Sequence, residues 1–596
     1  MDKPVDNSVD KHADKSVDKA VHNPMDKSVD NLSAAIELDE RAWYMALAEH
    51  MAQLYSGTSD NQKNYIKQII IKLGQALEIG HTCLLLNEVS LNFKQMQHPA
   101  IVDECQAIEQ PSPLVRAEDY LYFYRQWQQE NQLAEQLTHI LTTIRPVTVQ
   151  FEAEEKANAQ QRQAITLAAT HSFSLITGGP GTGKTYTLVR IVKALQQAQP
   201  DLRIALAAPT GKAAQRMQSV LDVAFAQSGI ASSHIQTAQT IHRLLGLGTS
   251  GKPRYHAQAV LPYDLIVLDE GSMLDLALAS LLFAAIAPGT RVIILGDADQ
   301  LAAVDAGAVL ADLQQTPALQ QYQMHLTESK RFEPTQGIGQ LAAAILAQDT
   351  TTFWQTFAKP ENQSILQHIN PQHFGHQHLG DQQLFDQLWQ GFLPYVAALQ
   401  QRQPVQELYA VFDQYRILSA MRSGRLGVKR INQEMSRRLQ QSLGQTVGFG
   451  EWFSGRPVLM NRNDYGLQLS NGDIGLCLPD DTGKWQVYFP HLAQPIAVTR
   501  LPLHDISTAF AMTVHKSQGS EFNRVAVVLD PAADSLLSRE LLYTAVTRAR
   551  QQVELWSDPA AANQALHNRL VRHTGLQRQL QKHIIALNRE QKQTAM

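Results

Sequence analysis

The chain has 596 residues, of which 44% are hydrophobic and 18% charged, too many for one core and enough for about three or four domains. No apolar run approaches the roughly 20 residues that cross a bilayer, and the first residues lack the apolar stretch of a signal peptide, so a cytoplasmic protein without a membrane role is expected. Cys83, Cys105 and Cys477 have no metal-ligand spacing, which argues against a disulfide framework, a zinc site or an iron–sulfur cluster, and a net charge of −5 confines any nucleic-acid surface to a local groove.

Residues 2–31 repeat every four positions, with Asp2, Asp6, Asp10, Asp14, Asp18, Asp26 and Asp30 in register and valines between them. A period of four winds those valines around a helix instead of lining one face, and Pro4 and Pro24 interrupt it, so a disordered tail (1–31) is expected. From 32 to 146 apolar residues recur at helical spacing over 41–55, 66–77 and 120–141, which predicts a helical domain of the kind that docks on a partner. Its aromatic run Tyr120-Leu121-Tyr122-Phe123-Tyr124 reads as core, with base stacking the weaker alternative.

After Pro146 short apolar runs alternate with helices. The runs 174–177, 204–209, 265–269 and 292–297 are apolar throughout and end in polar or glycine-rich clusters, as central parallel strands do, so 147–325 reads as one α/β lobe. A second series, 416–420, 509–513, 525–530 and 553–556, predicts a second α/β lobe over 326–596. Turn signals at Asn463-Asp464 and Asn471-Gly472-Asp473 between alternating segments predict a small β-barrel inserted at about 435–500.

The first strand opens into Gly178-Gly179-Pro180-Gly181-Thr182-Gly183-Lys184-Thr185, which fits G-x-x-x-x-G-K-[ST] between a strand and a helix. Its glycines let backbone N–H groups face phosphate, Lys184 reaches the β and γ oxygens, and the Thr185 hydroxyl ligates Mg²⁺; the chain is expected to bind ATP. The strand Leu265-Ile266-Val267-Leu268 delivers Asp269 and Glu270, assigned to Mg²⁺ coordination and to activation of the attacking water. Gln300, in Gly296-Asp297-Ala298-Asp299-Gln300, is placed to sense the γ-phosphate. Arg548 and Arg331 are candidates to stabilise transition-state charge, which makes Lys184, Thr185, Asp269, Glu270, Gln300, Arg331 and Arg548 the catalytic set.

Together with Ala208-Pro209-Thr210-Gly211-Lys212, Thr240-Ile241-His242-Arg243 and Thr513-Val514-His515-Lys516-Ser517-Gln518-Gly519-Ser520-Glu521-Phe522, these motifs resemble superfamily 1 DNA helicases over essentially everything after residue 150. Within them the chain resembles the RecD branch, the alpha subunits of exodeoxyribonuclease V. Gly80-His81-Thr82-Cys83-Leu84-Leu85 and the helix at 120–141 are similar to the region of that branch that docks on the beta subunit. The resemblance implies two RecA-like lobes with an SH3-like insert, and an ATP-driven 5′→3′ motor on single-stranded DNA. It also implies a heterotrimer with beta (RecB) and gamma (RecC) subunits that unwinds DNA ends for recombinational repair, nuclease activity belonging to the holoenzyme. By the same resemblance Gln161 reads adenine, and Pro209, Thr210, His242, Thr513, His515 and Lys516 contact DNA. Gly271 and the segment Leu301-Ala302-Ala303-Val304-Asp305-Ala306-Gly307 depart from the branch's usual DEASM and LPSVGAG.

Competing readings are weaker. Glu328-Ser329-Lys330 has the form of a metal nuclease but is absorbed by the motor motifs, and His368, His373, His376 and His378 lie in a glutamine-rich stretch that reads as a loop. Arg422, Arg425, Lys429 and Arg430 are further candidates for phosphate contacts. The alternative to a motor is an ATP-switched, DNA-bound scaffold or loader that hydrolyses ATP without translocating.

Overall fold

The computed structural model describes residues 43–55, 59–87, 98–142, 146–149, 157–228, 234–248, 251–329, 331–332, 335–374, 378–448, 450–464 and 466–594. The repeated tail, Lys330 and His376 lie outside them.

The first described part is helical only at its ends. Helix Asp60–Glu78 starts at a capping box between Ser59 and Gln62 and buries Tyr65, Ile66, Ile69, Ile70 and Leu73 against a helix at 43–54. Between it and helix Tyr124–Thr142 lies a four-stranded sheet in the order Leu84–Leu85, Tyr120–Phe123, Leu114–Ala117, Ile101–Asp103. The expectation of an all-helical 32–146 is therefore corrected. Leu114-Val115 and the aromatics of 120–123 pair across a tight turn at Glu118-Asp119, with Glu118 at φ +54°, and the helix starts only at Tyr124. Tyr122 and Trp127 are buried, so the aromatic run is core.

Lobe one is a six-stranded sheet ordered Gln323–Leu326, Phe173–Gly178, Arg291–Gly296, Leu265–Leu268, Ile204–Ala208, Gln239–Thr240, every pair parallel. Its four central strands are buried along their length, as sheets covered on both faces require. Helices Ala159–Thr170, Lys184–Ala198 and Gly211–Ser228 pack one face; Leu276–Ala284 and Val309–Gln315 pack the other.

Lobe two is a five-stranded parallel sheet ordered Leu366–Ile369, Ala549–Trp556, Phe522–Val528, Tyr415–Ser419, Ala511–Thr513. Between Tyr415–Ser419 and Ala511–Thr513 the chain makes helix Val428–Ser442 and then a five-stranded antiparallel sheet, Ile496–Ala497, Trp485–Tyr488, Ile474–Pro479, Arg456–Met460, Ile506–Thr508, with its own core around Val458, Cys477, Val487 and Phe489. The insert thus runs from Arg456 to Thr508, not from 435 to 500, because 435–442 continue a helix whose Ile431, Met435 and Leu439 are buried in lobe two.

One boundary moves further. Helix Leu576–Thr594 leaves lobe two and packs along helix Tyr124–Thr142, where Leu576, Leu580 and Ile584 join the lobe-one core. The expected second lobe, 326–596, therefore ends near residue 567, after helix Pro559–His567.

Candidate nucleotide site and flanking groove

The carboxyl ends of the lobe-one strands face lobe two, and the gap between them holds a cleft of about 200 Å³. Gly181 and Gly183, at φ +79° and +81°, turn the loop after strand Phe173–Gly178 so that helix Lys184–Ala198 points its N-terminus into the cleft. Thr182 ties the loop internally, its hydroxyl donating to Gly179 O at 2.8 Å, and the Lys184 ammonium folds back onto Gly178 O (2.6 Å) and Gly179 O (3.1 Å).

All seven predicted catalytic residues meet here. Lys184, Thr185, Asp269, Glu270, Gln300, Arg331 and Arg548 line the one cleft, although 364 positions separate Lys184 from Arg548 (548 − 184). Asp269 is half-buried at the cleft wall: desolvation and the neighbouring Glu270 charge raise its carboxyl to about 6, against the opposing pull of the Glu270 N–H, Lys184 and Arg216. A carboxyl raised by desolvation, with the Thr185 hydroxyl on the same cleft, is a donor set suited to a hard divalent cation. Glu270 itself sits in the left-handed region at φ +55°, held at the start of the short turn Gly271–Met273.

Gln300 is engaged on both sides. Its amide donates to Asp297 Oδ2 at 2.9 Å and accepts from Arg548 Nη2 at 2.9 Å, so it links lobe one directly to the second-lobe arginine. The next residue extends the link, Leu301 N donating to Thr544 Oγ1 (2.8 Å) and Leu301 O accepting from Gln518 (2.6 Å). Arg548 is buried, which lowers its pKa.

Gln161 is not among the residues that line the cleft. It is buried beneath the loop; its Oε1 caps its own helix by accepting from Asn158 N at 3.2 Å, and its amide nitrogen faces Gly183. Sequence reasoning gave no role to Arg216 and Glu521, which also line the cleft. Ala213 and Arg216, three apart on helix Gly211–Ser228, share the face turned to the cleft, and that spacing was the available signal for Arg216. Burial pushes the Glu521 carboxyl up, but Arg216 and Arg331 more than reverse this and hold it at about 2.

A larger groove of about 780 Å³ runs between helix Val428–Ser442 and the inserted sheet. Thr513 and Lys516 line it, with Arg422, Lys429, Arg437 and Arg456. The other DNA candidates lie elsewhere. Thr210 accepts from Ala213 N at 3.3 Å at the start of helix Gly211–Ser228, next to Pro209; His242 is exposed on helix Ile241–Leu244; and His515 lies where burial and the charge of Arg572 lower its pKa. Arg425 and Arg430 are bound to carboxylates of their own lobe, Asp381 at 2.6 Å and Glu434 at 3.1 Å, which removes them from the groove.

Two stacked α/β lobes with a P-loop in the first and an arginine of the second meeting it across the cleft define a nucleotide-driven motor ATPase of the helicase type. Residues 161–306 match the AAA domain family and 508–555 match the UvrD-like helicase C-terminal domain. The RecBCD enzyme subunit RecD of Mycolicibacterium smegmatis is 34% identical over 555 residues, covering 89% of this chain and 96% of that protein; that of Haemophilus influenzae is 32% identical over 79% and 81%. The ATP-dependent RecD2 DNA helicase of Deinococcus radiodurans is 31% identical over 72% of this chain and 53% of its own length. Among solved structures, Pif1 helicase from Bacteroides in complex with ADP-AlF3 and ssDNA is similar at 16% identity and a TM-score of 0.39, covering 73% and 98%. The chain belongs to the RecD family of RecBCD enzyme subunits.

Proposed function

We propose that this chain is an ATP-dependent 5′→3′ DNA helicase that works as the alpha subunit of a RecBCD-type assembly, beside beta (RecB) and gamma (RecC) partners, opening DNA at double-strand ends. The observation that carries the reading is the single cleft in which Lys184, Asp269 and Glu270 of lobe one face Arg548 of lobe two, because hydrolysis there makes and breaks contacts between the lobes.

In this reading the loop 178–185 cradles the phosphates, with Lys184 on the β and γ oxygens. Thr185 and Asp269 would hold Mg²⁺, which would supply positive charge to offset that developing on the transferred phosphoryl group. Glu270 accepts a proton from the attacking water, and Arg548 and Arg331 stabilise the transition state. Loss of the γ-phosphate frees Arg548, and the Gln300–Arg548 and Leu301–Thr544 links pass that change to the second lobe. Gln161 takes the adenine edge through its amide nitrogen once the base seats beside Gly183.

Single-stranded DNA runs over Pro209, Thr210 and His242 of lobe one and into the groove lined by Thr513, Lys516, Arg422 and Lys429, with the sheet of Arg456–Thr508 acting as the SH3-like insert on its rim. The first described module and the helix packed on it provide the docking platform for the beta subunit. Among the described residues no helix is long and apolar enough to cross a membrane; a cytoplasmic location fits the DNA substrate.

The test is ATP-dependent unwinding of two partial duplexes, one with a 5′ and one with a 3′ single-stranded tail, with Lys184→Gln as control. Selective opening of the 5′-tailed substrate, lost in the variant, is expected; DNA-stimulated ATP hydrolysis that survives Lys184→Gln would falsify the assignment of the site.

A further inference from the structure

Glu521 belongs to lobe two, yet its buried carboxylate gathers guanidinium groups from three parts of the chain. Arg216 of helix Gly211–Ser228 reaches Oε1 at 2.6 Å, Arg331 of the crossover between lobes reaches Oε2 at 2.5 Å, and Arg550 of strand Ala549–Trp556 reaches Oε2 at 3.2 Å. Arg216, Arg331 and Glu521 all line the cleft that holds Lys184 and Asp269. Arg331 leans on the phosphate loop itself: a Cβ added at Gly181 would lie 2.4 Å from the Arg331 Cβ, and Ser329 beside it donates to Pro180 O at 3.2 Å. One Arg331 nitrogen, Nη1, is buried with no hydrogen-bond partner among the described residues.

The arrangement leaves two anions with a claim on the same cations. A carboxylate that is 8% exposed requires its arginines, since a buried charge without a partner is costly. A nucleoside triphosphate entering the cleft brings a γ-phosphate that binds guanidinium forks equally well, and a diphosphate brings none at that position. Arg216 and Arg331 are therefore shared only when the third phosphate is present.

We propose that Glu521 is a positioning residue of the nucleotide site, a resident competitor for the γ-phosphate that keeps Arg216 and Arg331 gathered at the cleft, yields them to a triphosphate and takes them back when phosphate leaves. Arg216 thereby becomes a further phosphate-contacting arginine, contributed by lobe one. The proposal rests on the ATPase reading of this cleft and adds what sets its preference between tri- and diphosphate. It has a directional consequence. Neutralising Glu521 removes the competitor, so the triphosphate binds more tightly, ADP does not, and phosphate departs more slowly; removing Arg550, outside the cleft lining and half-exposed, leaves Glu521 with fewer partners and a firmer hold on the other two.

The experiment measures Kd for ATPγS and for ADP, together with kcat and KM for ATP, on the full-length chain, its Glu521→Gln and Arg550→Gln variants and a Glu521→Asp rescue. For Glu521→Gln the ATPγS-to-ADP affinity ratio rises about tenfold, and KM and kcat fall together; for Arg550→Gln the ratio moves the other way; Glu521→Asp restores it towards the parent. An unchanged ratio in Glu521→Gln, a raised KM, or a loss of affinity for both nucleotides alike overturns the proposal. If Glu521→Gln does not fold, a ratio that fails to fall in Arg550→Gln overturns it. Absence of ATP hydrolysis by the unsubstituted chain and its assembled complex counts instead against the ATPase reading.

Discussion

Arg548 and Glu270 show how single residues carry this account. Arg548 is buried and bonded to Gln300, Thr544 O and Ser520 O, so its guanidinium is already aimed at the cleft before nucleotide arrives. Replacing it with alanine is expected to lower kcat for DNA-stimulated hydrolysis about 10³-fold with a far smaller change in KM, as loss of a transition-state arginine does, and steady-state ATPase kinetics reads this directly. Glu270 is held at φ +55°, a conformation that costs a residue with a side chain about 1 kcal/mol or more. Glu270→Gly relieves that strain but adds unfolded-state entropy of similar size, so it is expected to abolish hydrolysis with a melting temperature close to the parent's, and a large drop in melting shows that the strain is not stored there. These residues were legible in the sequence because phosphoryl transfer requires particular side chains at strand ends. Glu521 was visible in its motif but without a role, since its three arginine partners lie between 29 and 305 positions away (550 − 521 and 521 − 216).

At the scale of elements, the central strands and the edge strand Ala511–Thr513 were readable, whereas other edge strands were not. Leu265–Leu268 and Ile204–Ala208 are apolar throughout because both their faces are covered, whereas the edge strands Gln323–Leu326 and Leu366–Ile369 contain glutamine and histidine and give no apolar run. The strap 568–575 was also invisible, since only the fold shows what it touches. Arg572 donates to Ala303 O (2.5 Å), Asp305 O (2.9 Å) and Gly307 O (2.7 Å) of the loop that follows Gln300, the segment whose sequence departs from the branch's usual form. Gly307 N donates to Gly80 O at 2.9 Å, Thr82 N to His573 O at 2.9 Å, and His573 N to the His81 ring at 2.8 Å, so the Gly80-His81-Thr82 stretch clasps the strap. Below it, two acids are buried together. Burial raises Glu130 to about 7, with Thr82 and the Gly575 N–H pulling the other way; burial raises Asp312 to about 8, opposed by the Thr574 hydroxyl and reinforced by Glu130. Folded values above the unfolded ones mean that the stability they permit is complete below about pH 4 and is lost as pH rises towards 8, by about 1.4 kcal/mol per unit per group where only the unfolded form is ionised. Thermal melting at pH 6 and pH 8 checks this: Asp312→Asn, which keeps the acceptor for Thr574, is expected to melt higher than the parent at pH 8 and to show a smaller difference at pH 6.

Across the whole molecule, the chain enters lobe two at one place and leaves it at another, besides the contacts across the cleft. The crossover through Arg331 leads in, and the strap through Arg572 leads back to helix Leu576–Thr594, which lies on both lobe one and the first module. The loop Leu301–Gly307 thus contacts both the strap, through Arg572, and the first module, through Gly80 O. The sequence read the two lobes as units but assigned the last helix to lobe two, because an amphipathic helix does not record which core its apolar face will join. The central claim is that these lobes convert hydrolysis into directed movement along one DNA strand. It is tested most directly by ATP-driven displacement of streptavidin from single-stranded DNA biotinylated at either end, using the full-length chain and its complex with the beta and gamma subunits, the beta-subunit ATPase inactivated and Lys184→Gln as control. Faster displacement from the 3′ end only, abolished by Lys184→Gln, is the predicted result. ATP hydrolysis stimulated by DNA without faster displacement from the 3′ end, alone or in the complex, contradicts it and makes the chain a nucleotide-switched scaffold.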